Sequence, residues 1–193
     1  MDRPIAQRKA ALRRTTLRAR RRLTPAERAR AAANIVERLR QLPVLREAGS
    51  VLLYAALRDE VELAGLVGEI RDRGARTLFP RVRGDELELV ASGDVRGLEP
   101  GYRGVREPIG PKIDPAFVDV ALVPGAAFDP TGGRLGQGGG HYDRLLPRLA
   151  EQCVRIGVCF ACQLVPHVPR EPHDAGVDLV VTEAARYRHG RRS

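Results

Sequence analysis

Four stretches of this chain are apolar at consecutive positions rather than alternate ones: SVLLYAAL from Ser50, VDVALVP from Val118, VRIGVCF from Val154 and VDLVVTE from Val177. A strand with one face in water alternates apolar with polar residues, whereas a strand covered on both faces has no such need. The four runs therefore call for a sheet with helices on both sides. The chain between them supplies helical patterns. Residues 6–23 form a basic amphipathic stretch. LTPAERARAAANIVERLRQL follows, where Thr24 can cap, Pro25 suits the first turn and Glu27 completes a capping box. VELAGLVGEIRDRG reads as a crossover helix ending at Gly74, with RTLFP as the strand after it, so a βαβ unit is expected there. ELELVA alternates well enough for a further strand at an edge, and residues 93–115 are rich in Gly and Pro and read as loop. HYDRLLPRLAEQ reads as the start of another helix. The order of elements predicts an α/β fold: a single domain with two leading helices and a mostly parallel sheet with helices on both faces.

Charge bears on which partners to expect. The 33 basic residues outnumber the 24 acidic ones for a net charge of +9, an invitation to consider nucleic acid. All but Lys9 and Lys112 are arginine, however, as a codon bias would produce, and aromatic residues make up only 4% with no Trp, leaving little for base stacking. Nucleic-acid binding is not expected. No apolar run approaches the roughly 20 residues that span a bilayer, and the N-terminus shows no apolar signal core, so no membrane association is expected and the location is read as cytoplasmic. The Arg-rich, acid-poor segment from Lys9 to Arg30 also fits an organelle transit peptide, while the placement of Leu12, Leu17 and Leu23 favours a folded helix. Cys153, Cys159 and Cys162 are too few for a disulfide framework and read as small buried hydrophobes.

The stretch GRLGQGGGHYDRLLP, Gly133 to Pro147, carries Gly136, Gly138, Gly139 and Gly140 and then four polar side chains at once. A strand ending near Pro124, a glycine-rich turn and a helix beginning near Tyr142 would bring backbone N–H groups and a helix dipole to bear on an anion. A solvated connector remains the alternative, although it has no use for Arg134, His141, Tyr142, Asp143 and Arg144 among its glycines. The pattern is neither a Walker A loop nor a dinucleotide GxGxxG. Asp143 adds a hard oxygen ligand of the kind Mg2+ takes together with nucleotide phosphates, so a nucleotide is the leading ligand.

PGAAFDPTGGRLGQGGGHYDR, Pro124 to Arg144, resembles the hallmark of the 5-formyltetrahydrofolate cyclo-ligase (methenyltetrahydrofolate synthetase) family. KAALR near the start, RDEVEL, LFPRV, GVREP and PHDAGVDLVVTE follow the family's order as well, so the resemblance runs from Lys9 to about Glu183. Residues 184–193 match nothing and are expected to be disordered or frayed.

The resemblance implies a cytoplasmic ligase with ATP and Mg2+ as cofactors. Its substrate would be 5-formyltetrahydrofolate, with or without a polyglutamate tail, which is cyclised to 5,10-methenyltetrahydrofolate through a phosphorylated formyl oxygen with release of ADP and phosphate. It implies ATP contacts from Lys9, Ala10, Ala11, Leu12 and Arg13 and from Arg134, Leu135, Gly136, Gln137, Gly138, Gly139, Gly140, His141 and Tyr142. Lys9 and Arg134 become the catalytic cations, Ala55, Glu60 and Tyr142 the substrate contacts, and Asp143 and Asp174 the magnesium carboxylates. Glu107 is a second contributor near the ligands. Gln137 stands where the family often has a basic or aromatic residue, and His141 where Tyr or Phe is frequent; for His141 a packing or hydrogen-bonding role is expected ahead of proton donation. A fold that kept the ligand site without turnover would be a binding module, and the presence of Lys9, Glu60, Arg134, Asp143 and Asp174 together argues against it.

Overall fold

The structure is a computed structural model that describes residues 4–188 and 191–192. The first two helices are α1 (Ile5–Arg22) and α2 (Pro25–Arg40), joined by a two-residue corner. The capping box at the start of α2 forms as predicted: Thr24 Oγ1 accepts from Glu27 N at 3.2 Å and Glu27 Oε2 accepts from Thr24 N at 2.8 Å. A short α3 (Pro43–Glu47) leads into β1 (Ser50–Leu52). The crossover helix α4 (Ala64–Asp72) closes near Gly74, whose φ of 82° lies in the left-handed region that ends helices. The hairpin β2 (Arg76–Arg83) and β3 (Glu86–Ala91) follows.

The Gly- and Pro-rich segment after β3, read as loop, contains three short strands: β4 (Glu99–Pro100), β5 (Arg106–Glu107) and β6 (Lys112–Ile113). Then come β7 (Val120–Val123), the hairpin β8 (Ala127–Phe128) and β9 (Arg134–Leu135), and the five-residue helix α5 (His141–Leu145). The chain finishes with β10 (Val154–Val158), β11 (Leu179–Val181), β12 (Arg186–Arg188) and β13 (Arg191–Arg192).

Nine strands make the main sheet in the order β13, β12, β11, β10, β7, β1, β2, β3, β6. The five in the middle, β11 to β2, are parallel, and antiparallel strands flank them on either side. Consecutive residues of the central strands serve opposite faces. Val51, Val120, Leu122, Leu179 and Val181 pack with α2, α3 and α4, while Leu52, Ala121, Val123 and Val180 pack with Leu145, Leu146 and Leu149 on the other side. Two apolar cores on one sheet explain the unbroken apolar runs. No helix among the described residues is long and apolar enough to cross a membrane.

Several expectations are corrected. SVLLYAAL pairs as a strand only over Ser50–Leu52, and its second half leaves the sheet to form the wall of a cleft. ELELVA is not the edge strand, since β6 pairs outside it. The helix expected after His141 stops at Leu145 and passes into a 3-10 turn, Leu146–Arg148, because Pro147 has no N–H to continue the ladder. Of residues 184–193, expected to fray, Arg186–Arg188 pair along β11, with Val180 opposite Tyr187 and Val181 opposite Arg186, while residues 189, 190 and 193 lie outside the described residues. Cys153 and Cys159 are buried as expected, and burial pushes both thiols up, Cys153 to about 11; Cys162 is exposed instead, because it lies in the 3-10 turn Ala161–Gln163 after β10 has ended.

Candidate active site

The sheet reverses its winding between β1 and β7. From β1 the chain runs outward through β2 and β3, then returns to lay β7 on the other side of β1 and continues through β10 and β11. Loops leaving the carboxyl ends of two such strands diverge and open a crevice. Tyr54 and Ala55 beyond β1, and Pro124 and Gly125 beyond β7, line it. The segment from Gly136 to Gly140 crosses this crevice and divides it into two clefts.

The β8–β9 turn that leads into this loop is held by Asp129, which is fully buried. Its carboxylate accepts from the N–H groups of Thr131, Gly133 and Val168 at 2.9 Å each and from Arg170 Nη2 at 3.1 Å. Burial by itself pushes the Asp129 carboxyl up, and the Thr131 hydroxyl at 2.6 Å, the Val168 and Gly133 N–H groups and Arg170 outweigh it, holding the group down at about 2. Gly138 and Gly140 take φ of 104° and 67°, a region closed to most side chains, so glycine at these two positions lets the loop turn back on itself.

The first cleft, about 270 Å³, is lined by apolar and aromatic surface from Ala55, Leu57, Val82, Leu87 and Tyr102, with polar groups from Glu60, Glu107, Arg134, His141 and Tyr142. Glu60 points a nearly buried carboxylate into it: Oε2 accepts from Leu57 N at 3.0 Å and Oε1 from Gln137 Nε2 at 2.8 Å. Burial pushes the Glu60 carboxyl above its ordinary range, against the pull of the Leu57 N–H and the Arg20 guanidinium. Tyr142 Oη is buried without a hydrogen-bond partner among the described residues, and burial raises its phenol, so it stays protonated and offers an unused donor. His141 meets the Tyr102 ring edge-on, with centroids 5.7 Å apart. Glu107 Oε1 accepts from Val82 N at 3.1 Å and Tyr102 N at 3.3 Å, bracing the strap that carries Tyr102 over this cleft.

The second cleft, about 440 Å³, is polar: Lys9, Arg13, Arg144, His173, Asp143 and Asp174 surround it, with Gly136, Gly138 and Gly140 as its floor. Lys9 Nζ donates to Glu171 at 2.7 Å and to Asp174 at 2.5 Å, and Arg13 Nε donates to Gly136 O at 2.9 Å. Burial favours a neutral Lys9 amine, but the two carboxylates outweigh it and raise its pKa, while the same contact holds Asp174 below the usual carboxylate range despite its own burial. The pair is ionised throughout the neutral range.

Arg134 stands at the partition. It is buried, donates through Nε to Ala175 O at 3.2 Å and through Nη2 to Asp143 Oδ1 at 2.5 Å, and lies over the Tyr142 ring with its guanidinium carbon 5.7 Å from the centroid. Asp143 also accepts from Ala175 N at 3.2 Å. Its carboxylate does not cap α5, whose N-cap is Gly140 with no side-chain cap bond. With five residues in α5, the dipole imagined for this helix carries little, and the cations around the second cleft take over the attraction for an anion.

The residues singled out by sequence thus separate in space. Lys9, Arg13, Leu135, Gly138 and Asp174 line the second cleft, Ala55, Glu60, Gln137, Gly139, His141, Tyr142 and Arg134 line the first, and Gly136, Gly140 and Asp143 line both. Ala10, Ala11 and Leu12 face neither cleft, and Leu12 packs on Ala127, Leu135 and Val168. Sequence reasoning missed His173 in the second cleft, Glu171 bonded to Lys9 beside it, and Tyr54 and Tyr102 in the first, whereas Arg144, noted next to the glycines, does line the second cleft. Glu171 and His173 stand beside Asp174 in the sequence, so a search for ligand clusters around that residue would have found them; their oxygen and nitrogen ligand atoms and that of Asp174 lie within 4.8 Å of one another. The donor set suits the groups expected here, with three cations around a glycine floor for phosphates and carboxylate oxygens beside them for a hard divalent ion.

Residues 5–183 match the family described as the 5-formyltetrahydrofolate cyclo-ligase family. The chain is 33% identical over 141 residues to the 5-formyltetrahydrofolate cyclo-ligase of Mycolicibacterium smegmatis, which covers 69% of this chain and 73% of the relative. It is 29% identical over 177 residues to the enzyme of the same name from Escherichia coli, covering 84% and 93%. Among solved structures, the 5,10-methenyltetrahydrofolate synthetase of Aquifex aeolicus superimposes with a TM-score of 0.84 at 35% identity, covering 95% of this chain and 93% of that one. The synthetase of Mycoplasma pneumoniae shares the fold with a TM-score of 0.75 at 24% identity, covering 91% and 98%.

Proposed function

The chain belongs to the 5-formyltetrahydrofolate cyclo-ligase family, and we propose on that footing that it cyclises 5-formyltetrahydrofolate to 5,10-methenyltetrahydrofolate, with the folate in the first cleft and ATP with Mg2+ in the second. The observation that carries this arrangement is the shared partition: Gly136, Gly140 and Asp143 line both clefts, so a group leaving one ligand has only the thickness of a glycine loop between it and the other. Bound ATP would supply the phosphoryl group that turns the formyl oxygen into a leaving group, and Mg2+ the charge that shields the phosphates.

The chain's own residues do the rest by position. Glu60 presents two carboxylate oxygens to the N–H donors of a pterin edge, while Tyr54, Ala55 and Leu57 cover the ring's apolar surface. The unpartnered Tyr142 hydroxyl donates to a polar atom of the bound folate. Arg134, fixed by Asp143 and the Ala175 carbonyl, meets negative charge developing at the partition without having to reorganise. Lys9 and Arg13, from successive turns of α1, face the phosphates in the second cleft, and Asp143 and Asp174 hold the metal beside them.

Purified protein given ATP, Mg2+ and 5-formyltetrahydrofolate should develop the absorbance of the methenyl product, and none appearing sinks the proposal. The metal assignment has its own check in Asp143→Asn. Turnover is expected to fall at least about 100-fold and to recover partly at high Mg2+, since excess metal offsets weakened binding but not misplacement. A lowered melting temperature with an unshifted Mg2+ titration would make Asp143 a partner of Arg134 alone.

A further inference from the structure

Arg20 is an anomaly in a chain whose arginines are mostly solvated: only 3% of its side chain is exposed. It lies near the C-terminal end of α1, on the same buried face as Lys9 and Thr16. A guanidinium taken out of water is costly unless its donors are matched. Here they are matched to two consecutive carboxylates. Nε donates to Asp59 Oδ2 at 3.2 Å, Nη2 donates to Asp59 Oδ1 at 3.0 Å, and Nη1 stands 3.5 Å from Glu60 Oε1.

We infer that Arg20 is a positioning residue for folate recognition, tying the Asp59–Glu60 corner to α1 so that the Glu60 carboxylate stays charged and aimed into the first cleft. The inference rests on the reading of Glu60 as the carboxylate that meets the pterin.

Asp59 and Glu60 are adjacent acids, and Glu60 is the more buried of the two, with 8% of its side chain exposed against 22%. Their mutual repulsion and the burial of Glu60 both favour a protonated Glu60, which would offer a donor where the ligand also brings donors. The fork of Arg20 engages Asp59 on both oxygens and leaves its third nitrogen toward Glu60, so one cation compensates the corner and leaves one negative charge for the ligand. Arg21 approaches Asp59 at 3.7 Å, but it is 70% exposed and points no donor at Glu60. Among the described residues, Glu60 also accepts from the Leu57 N–H and the Gln137 amide, neither of which carries charge.

The experiment measures binding of 5-formyltetrahydrofolate to the full chain without ATP, together with the KM values for folate and ATP, in Arg20→Met, Arg20→Lys and Asp59→Asn. Arg20→Met should weaken folate binding at least about tenfold, the scale of a hydrogen bond to a charged group. Its ATP KM should stay within about twofold. Arg20→Lys keeps the charge without the fork and should recover part of the loss. Asp59→Asn should give an intermediate loss, because Arg20 then lacks its bidentate anchor. Unchanged folate affinity in a folded Arg20→Met chain overturns the inference, and so does equal weakening of folate and ATP. Where Arg20→Met does not fold, Asp59→Asn decides on the same terms. Glu60→Gln separates the two levels: if it binds folate normally, the reading of Glu60 fails, whereas if it binds weakly and the Arg20 and Asp59 variants bind normally, only the role of Arg20 fails.

Discussion

The first two helices are neighbours of similar length, 18 and 16 residues, and both are rich in arginine, yet they are held in the fold by opposite chemistries. The buried residues of α2 are Ala32, Ile35, Val36 and Leu39, an apolar stripe that packs into the core on one face of the sheet. Those of α1 are Lys9, Thr16 and Arg20, each bonded to something outside solvent: Lys9 to Glu171 and Asp174, Thr16 to the Leu12 carbonyl, and Arg20 to Asp59. Apolar burial is non-directional and stabilises wherever area is covered, so α2 serves stability. Charged burial rewards only one geometry, so α1 serves placement. It sets Lys9 and Arg13 at the second cleft and Arg20 behind the first, the ends of this row about 16 Å apart at 1.5 Å per residue.

Three substitutions would break or sharpen that contrast. The largest effect is expected from Leu39→Ala in α2, which empties a fully buried site and should cost about 2–5 kcal/mol of unfolding free energy in a urea titration. Both KM values should be unchanged at temperatures where the variant is folded, and a kinetic defect there would mean that α2 also places the site. Next comes Lys9→Met in α1. The ATP KM should rise about 10- to 100-fold, as for a lost charge-assisted bond, while the folate KM stays put and unfolding remains cooperative. A selective effect on folate would move Lys9 out of the second cleft and dissolve the division of labour along α1. The smallest is Thr24→Ala, which removes the cap of α2 and should lower stability by about 1 kcal/mol with no kinetic consequence. A change in either KM after so remote a loss would show that the orientation of α2 is transmitted to α1 across their corner.

What the sequence by itself determined is local. The capping box of α2 needs only Thr24 and Glu27 in one turn, the end of α4 needs only a glycine free to adopt positive φ, and unbroken apolar runs announce strands covered on both faces; all three are written within a few adjacent positions. The glycine cluster likewise announced a backbone that turns tightly among charged groups, and the order of its surrounding motifs pointed to the right family. What only the tertiary structure decided is which groups meet across long chain separations. Nothing near Lys9 in the sequence indicates that Glu171 and Asp174 will bracket it, nothing near Asp143 indicates that the Ala175 N–H will meet its carboxylate, and the burial of Arg20 is invisible among so many arginines. The second half of SVLLYAAL is as apolar as the first, and only the reversal of winding between β1 and β7 turns it from strand into cleft wall. The physical reason is that propensity and capping act through bonds within a turn or two of helix, whereas the charge, burial and orientation of a site depend on elements distant in sequence that packing alone brings together.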